Sequence, residues 1–185
     1  MTPVFAAAQE LQGFMESRGW GFCMIGGLAV LRWGEPRLTR DVDVTVLAGF
    51  GNEDEFIQPL LERYKARLTD AGEFARRSRV LLLEATNGTP LDVALGGLAY
   101  EALAVERSSE FEFEPGCRLR TCSAEDLLVQ KLFAFRVRDL ADAEGVALRM
   151  RGRLDWAYVE EQLRPLAEAK DEPGIMAQLA KLRLT

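Results

Sequence analysis

Ile25-Gly26-Gly27, then thirteen residues, then Asp41-Val42-Asp43-Val44-Thr45-Val46: this stretch decides how the 185-residue chain is read. From Asp41 to Val46 polar and apolar side chains alternate, the period-two signature of a strand with one buried face. Successive strand side chains point to opposite faces, so Asp41 and Asp43 project together and Val42 and Val44 project away from them. Two adjacent carboxylates repel unless a cation lies between them; without one, at least one holds its proton to higher pH. Their hard oxygens suit Mg2+ or Mn2+. Upstream, Phe22 to Ile25 reads as a short buried strand, Gly26-Gly27 breaks it, and Leu28 to Trp33 reads as a short helix. Glycines at that turn let the backbone close on a phosphate, and a helix N-terminus adds N–H donors. Cradle and carboxylates together point to chemistry on a nucleoside triphosphate. Taken singly, each has a plainer reading, a solvated strand face and a simple turn.

Composition narrows the chemistry further. The chain carries 23 Lys plus Arg, 29 Asp plus Glu and no histidine, for a net charge of −6. Without imidazole there is no Ser-His-Asp or Cys-His site and no histidine metal ligand. Cys23, Cys117 and Cys122 form no CxxC pair, which argues against a disulfide framework and a structural zinc site. The N-terminus has no signal-peptide pattern and no apolar run is long enough to span a bilayer, so a cytoplasmic protein without membrane contact is expected. The acidic balance counts against a non-specific nucleic-acid binder. Arg76-Arg77-Ser78-Arg79 and Arg149-Met150-Arg151-Gly152-Arg153 are the local basic runs that remain.

The rest of the chain supplies an α+β order. Thr2-Pro3 caps a helix with apolar positions Phe5, Leu11, Phe14 and Met15, ending at Gly19. A helix is predicted over 53–68, then strands over 80–85 and 90–95 joined by the turn dipeptide Asn87-Gly88. A helix over 98–106 and a strand over 110–114 come next. From Ser123 the pattern is helical, opening on the capping-box-like Ser123-Ala124-Glu125-Asp126, with further helices over 139–149, 155–166 and 174–182. The organisation expected is a mixed α/β core over 1–122 and a helical subdomain over 123–185 packed on it. Between Leu127 and Val137 only Gln130, Lys131 and Arg136 are polar, so Lys131 lies on a largely buried helix and needs an anion, which a triphosphate would provide.

The segment from Ile25 to Val46 resembles the signature of the nucleotidyltransferase fold, the DNA polymerase β-like superfamily. It is especially similar to AbiEii-type and related small bacterial nucleotidyltransferases. The resemblance implies an α+β fold with a small mixed or antiparallel sheet flanked by helices, and a helical C-terminal part. It also implies a third carboxylate on a neighbouring strand, which Asp92 in Pro90-Leu91-Asp92-Val93-Ala94-Leu95 supplies. Asp41, Asp43 and Asp92 would be the catalytic metal ligands for two Mg2+ or Mn2+ ions, with Asp92 near the acceptor. Gly26, Gly27 and Lys131 would hold the nucleotide. Thr39 and Arg40, with Arg37 just before them, stand where they reach a phosphate or the acceptor; solvated loop residues are the alternative. Arg136-Val137-Arg138-Asp139-Leu140-Ala141-Asp142 resembles a further family segment, which brings in Arg138, Asp139 and Asp142; a solvated Arg138–Asp142 helix pair is the competing reading.

The activity that the resemblance implies is a metal-dependent transfer of a nucleotidyl group from an NTP, ATP among them, to an acceptor. An AbiEii-type protein implies a toxin with a cognate antitoxin and an RNA acceptor such as tRNA. An antibiotic-modifying relative would act on a small molecule, and a protein acceptor is also open. The rival reading is a non-catalytic binding or regulatory module on the same fold.

Overall fold

Strand β2 (Val42–Leu47) forms where the alternation places it, with Val42, Val44 and Val46 fully buried and Asp43 half-buried. It lies between β1 (Phe22–Met24), antiparallel to it, and β5 (Pro90–Gly96), parallel to it. β4 (Val80–Glu84) returns antiparallel to β5 across the Asn87-Gly88 turn, where Gly88 takes a φ of 82°. The short β3 (Lys65–Ala66) edges the sheet beside β4. On the other side β7 (Cys117–Thr121) runs parallel to β1 and is hairpin-paired with β6 (Ser109–Glu114). The result is one mixed sheet of seven strands in the order β3-β4-β5-β2-β1-β7-β6. These are the strands of the computed structural model, which describes residues 2–184.

Helix α1 (Pro3–Ser17) starts as expected, with the Thr2 hydroxyl accepting from Phe5 N. Its Gln12 side chain reaches β7, accepting from Arg120 N and donating to Arg118 O, so a buried amide replaces water at that backbone. Helix α2 (Gly26–Trp33) begins at the glycine pair itself, two residues before the apolar stretch that predicts it. The helix predicted over 53–68 stops early, as α3 (Asp54–Arg63), and β3 takes up its end; α4 (Ala71–Ser78) is a further helix that the sequence reading lacks. The break comes at Tyr64, which is extended (φ −122°, ψ 150°) and buries its ring. α5 (Ala99–Glu106) completes this part of the chain.

The C-terminal helices are α6 (Ala124–Ala134), α7 (Val137–Arg149), α8 (Trp156–Lys170) and α9 (Gly174–Leu182). Ser123 caps α6: its Oγ accepts from Asp126 N and donates to Asp126 Oδ2 at 2.6 Å. The Tyr158 hydroxyl on α8 donates to the other oxygen of that fully buried carboxylate at 2.7 Å. A buried charge is tolerable only with such donors, so the polar pair fixes how α8 packs on α6.

The chain divides into two compact units, one of Met1–Leu28 with Leu38–Cys122, the other of Ala29–Arg37 with Ser123–Thr185. The first holds the whole sheet; the second holds α6 to α9 and most of α2. No helix among the described residues is long and apolar enough to cross a membrane.

Candidate active site

In the first unit Asp43 sits inside β2 directly opposite Asp92 of the parallel β5. Neighbouring strands stand about 4.8 Å apart, and residues paired in register share a face, so the two carboxylates belong to one site. Asp92 is thus an interior strand residue, paired also with Leu82 on β4, and not the end of the hairpin. Asp41 lies one residue before β2. Burial lifts the Asp92 carboxyl above its ordinary titration range; the Arg67 guanidinium pulls it down, and the charge of Asp41 pushes it up again. Arg67, just past β3, forms an ion pair with Asp92 in which both side chains are about one-third exposed.

The glycines close on these side chains. Gly26 has a φ of +55°, and a Cβ there would stand 2.0 Å from Asp43 Oδ2. A Cβ on Gly27 would stand 2.2 Å from Thr39 Oγ1. Thr39, expected at a phosphate or the acceptor, donates to Asp41 Oδ1 at 3.1 Å. Arg40 is exposed. Because α2 begins at Gly26, its first N–H groups lack helical partners and form an anion-seeking end.

The donor set fits an oxygen-seeking divalent cation: carboxylates only, two of them in register on adjacent central strands. Among the described residues no three acidic, histidine or cysteine side chains already form a closed cage. Arg67 is the cation that Asp92 holds. Replacing Arg67 with alanine removes the one neighbour that lowers the Asp92 carboxyl, so it is expected to titrate at still higher pH. The carboxyl-carbon resonance of Asp92, followed through an acid titration, checks this.

In the second unit Lys131 has its anions at hand. Its Nζ lies 2.8 Å from Asp139 Oδ1 and 2.9 Å from Asp142 Oδ2, with all three side chains largely buried. Arg37 grips Asp142 through two bonds, Nε to Oδ1 at 2.8 Å and Nη2 to Oδ2 at 2.9 Å. Burial raises the Asp142 carboxyl, but its bonds from Arg37 and Lys131 together hold it below its ordinary range. The anions that the Lys131 charge calls for are supplied within the protein by Asp139 and Asp142. The Arg138–Asp142 pair gives way, since Asp142 takes Arg37 and Lys131 while Arg138 is exposed. Some arginines of the two basic runs have partners within the protein. Arg76 pairs with Asp54 and Glu73, and Arg79 with Glu53. Arg149 donates to Gly34 O, and Arg153 to Arg149 O.

Two residues escape a reading of this site from sequence. Arg67 follows a two-residue strand with no periodicity to announce it. Arg37 stands in sequence where it would reach a phosphate, and nothing local links it to Asp142, 105 positions away.

Residues 21–153 match the family described as nucleotidyl transferase AbiEii toxin, Type IV TA system. The chain belongs to this family. The match spans both glycines, the three aspartates and the Lys131 cluster, and the AbiEii-family protein is accordingly a nucleotidyltransferase. A solved antigenic nucleotidyltransferase-like protein from Paracoccidioides brasiliensis shares the fold, with a TM-score of 0.52 and 13% identity over 95% of this chain and 91% of that one. The antibiotic-resistance factor ANT(2'')-Ia gives 0.49 at 17% identity, over 97% of this chain and 89% of that one. Lincosamide antibiotic adenylyltransferase LnuA gives 0.48 at 18%, over 75% and 92%. No curated protein matches the chain.

Proposed function

We propose that this AbiEii-family protein transfers a nucleotidyl group from an NTP to an acceptor in a divalent-metal-dependent reaction, as the toxin of a toxin–antitoxin pair. The observation that carries the reading is the register of Asp43 against Asp92, with Gly26 closed on Asp43. Asp41 and Asp43 would hold two ions, Mg2+ or Mn2+, with Asp92 as a third ligand. Ions bound there would neutralise charge on the attacking and leaving oxygens.

The chain's own groups carry the rest of the proposal. The acceptor oxygen bonds to the α-phosphorus, the bond from that phosphorus to the bridging oxygen breaks, and pyrophosphate leaves with the electron pair. The acceptor proton passes to the Asp92 carboxylate, which the strand register places beside Asp43. Backbone N–H groups of Gly26 and Gly27 receive phosphate oxygens at the start of α2, with exposed Arg40 as a nearby cation. Lys131 is assigned to holding Asp139 and Asp142. RNA and small-molecule acceptors are arms of one experiment.

That experiment incubates the protein with each α-labelled NTP, Mg2+ or Mn2+, and either total RNA or a panel of small-molecule hydroxyl acceptors. Label should move to one acceptor class as pyrophosphate appears. Calorimetric titration with metal and NTP should show metal-dependent binding that Asp43→Ala loses. A parent that binds no nucleotide, or a substitution that leaves binding intact, would place the chain among non-catalytic modules.

A further inference from the structure

We propose that Thr39 is a positioning residue that orients Asp41 for its metal, an inference resting on the metal-dependent reading of this site. The two carboxylates of the Asp-Val-Asp motif are held differently. Asp43 lies within β2, paired in register with Asp92, and its carbonyl accepts from Ile25 N at 2.9 Å. Asp41 lies outside the ladder, which begins at Val42. Strand pairing therefore fixes Asp43 and leaves Asp41 to a local restraint.

Thr39 supplies that restraint. Its hydroxyl donates to Asp41 Oδ1 at 3.1 Å and lies 3.4 Å from the Asp41 carbonyl. Gly27 also closes on this side chain, since a Cβ there would come within 2.2 Å of Oγ1 and 2.8 Å of Thr39 Cβ. The absent side chain at Gly27 thus has a second use besides access to phosphate: it makes room for the threonine that aims the aspartate. One hydrogen bond to Oδ1 sets the carboxylate's rotation and leaves the lone pairs of Oδ2 available to a cation. Groups that orient a ligand in this way commonly control metal affinity as strongly as they control turnover.

The test is Mn2+ binding without nucleotide, by calorimetry, on the parent, Thr39→Val, Thr39→Ser and Gly27→Ala, with kcat and KM for the NTP measured alongside. Valine keeps the shape and removes the donor, so Mn2+ affinity should fall roughly 10- to 100-fold, and added Mn2+ should restore most of kcat. Serine keeps the donor and should stay near the parent. Gly27→Ala pushes the hydroxyl aside and should reproduce the valine effect, which keeps the test decisive if Thr39→Val folds poorly. Unchanged Mn2+ affinity in Thr39→Val, or a rise in the KM for NTP alone, would overturn the assignment in favour of direct nucleotide contact. A parent that binds no Mn2+ and matches Asp43→Ala would instead overturn the metal-dependent reading itself.

Discussion

Alanine at position 26 is expected to cut nucleotidyl transfer by about 100-fold or more, although it adds a single methyl group. Two costs combine. The backbone there has a φ of +55°, which charges an alanine about 1–2 kcal/mol in the left-handed region. The new Cβ would also stand 2.0 Å from Asp43 Oδ2, 2.6 Å from Cγ and 2.8 Å from Cβ. A rotamer change relieves the first two contacts and not the third, because the Asp43 Cβ moves only with the backbone. That backbone is held by pairing with Asp92 and by the bond from Ile25 N. Either β2 shifts or the start of α2 pulls away, and a displacement of about 1 Å at reacting groups is enough for a 100-fold loss. Gly13→Ala is the control, for nothing lies within 4 Å of its Cβ and it sits within α1. It should gain roughly 0.5–1 kcal/mol in a urea melt with turnover unchanged. Parent-like turnover in Gly26→Ala would mean that the Gly26–Asp43 approach plays no part in the chemistry.

The centre of the sheet and its carboxylates are readable in the sequence because their signals are local. Alternation from Asp41 to Val46 sets β2, Asn87-Gly88 sets the β4–β5 hairpin, and an aspartate inside an apolar strand marks Asp92. The caps at Thr2 and Ser123 are equally plain, each being one side chain on a nearby backbone N–H. The features that escape are set by partners distant in sequence. β7 alternates buried Cys117, Leu119 and Thr121 with Arg118 and Arg120, but five residues with two arginines look like a loop until β1 and β6 flank them. The end of α3 is not legible either, because its stop depends on burying the Tyr64 ring. Thr39 and Lys131 are a different case, for their partners stand close by in the chain: Asp41 just after Thr39, and Asp139 and Asp142 on the helix that follows Lys131.

Lys131→Met is expected to destabilise the fold by about 3–5 kcal/mol, because it leaves buried carboxylates without a cation they share. The cluster of Lys131, Arg37, Asp139 and Asp142 is neutral as built, with two positive and two negative groups. Methionine keeps the volume and leaves a net charge of −1 in a poorly solvated place. Arg37 still grips Asp142, so the deficit falls mainly on Asp139, whose other cation, Arg136, is 83% exposed and 3.5 Å away. The pH dependence follows from Asp142. Its carboxyl titrates below the ordinary range in the folded protein, so its contribution to stability is present above that range and is lost as pH falls through the depressed value. Without Lys131 the depression of the Asp142 carboxyl weakens, so the variant lacks part of the stability that the parent has above that range and loses as pH falls. The deficit of the variant should therefore be largest near about pH 7 and shrink toward about pH 4 in urea melts at the two values. Adding Asp139→Asn to Lys131→Met removes the orphaned charge and leaves the Arg37–Asp142 pair balanced, so the double variant should be more stable than the single one. A double variant no more stable than Lys131→Met would show that packing around the lysine stem, and not its charge, is what holds α6 to α7.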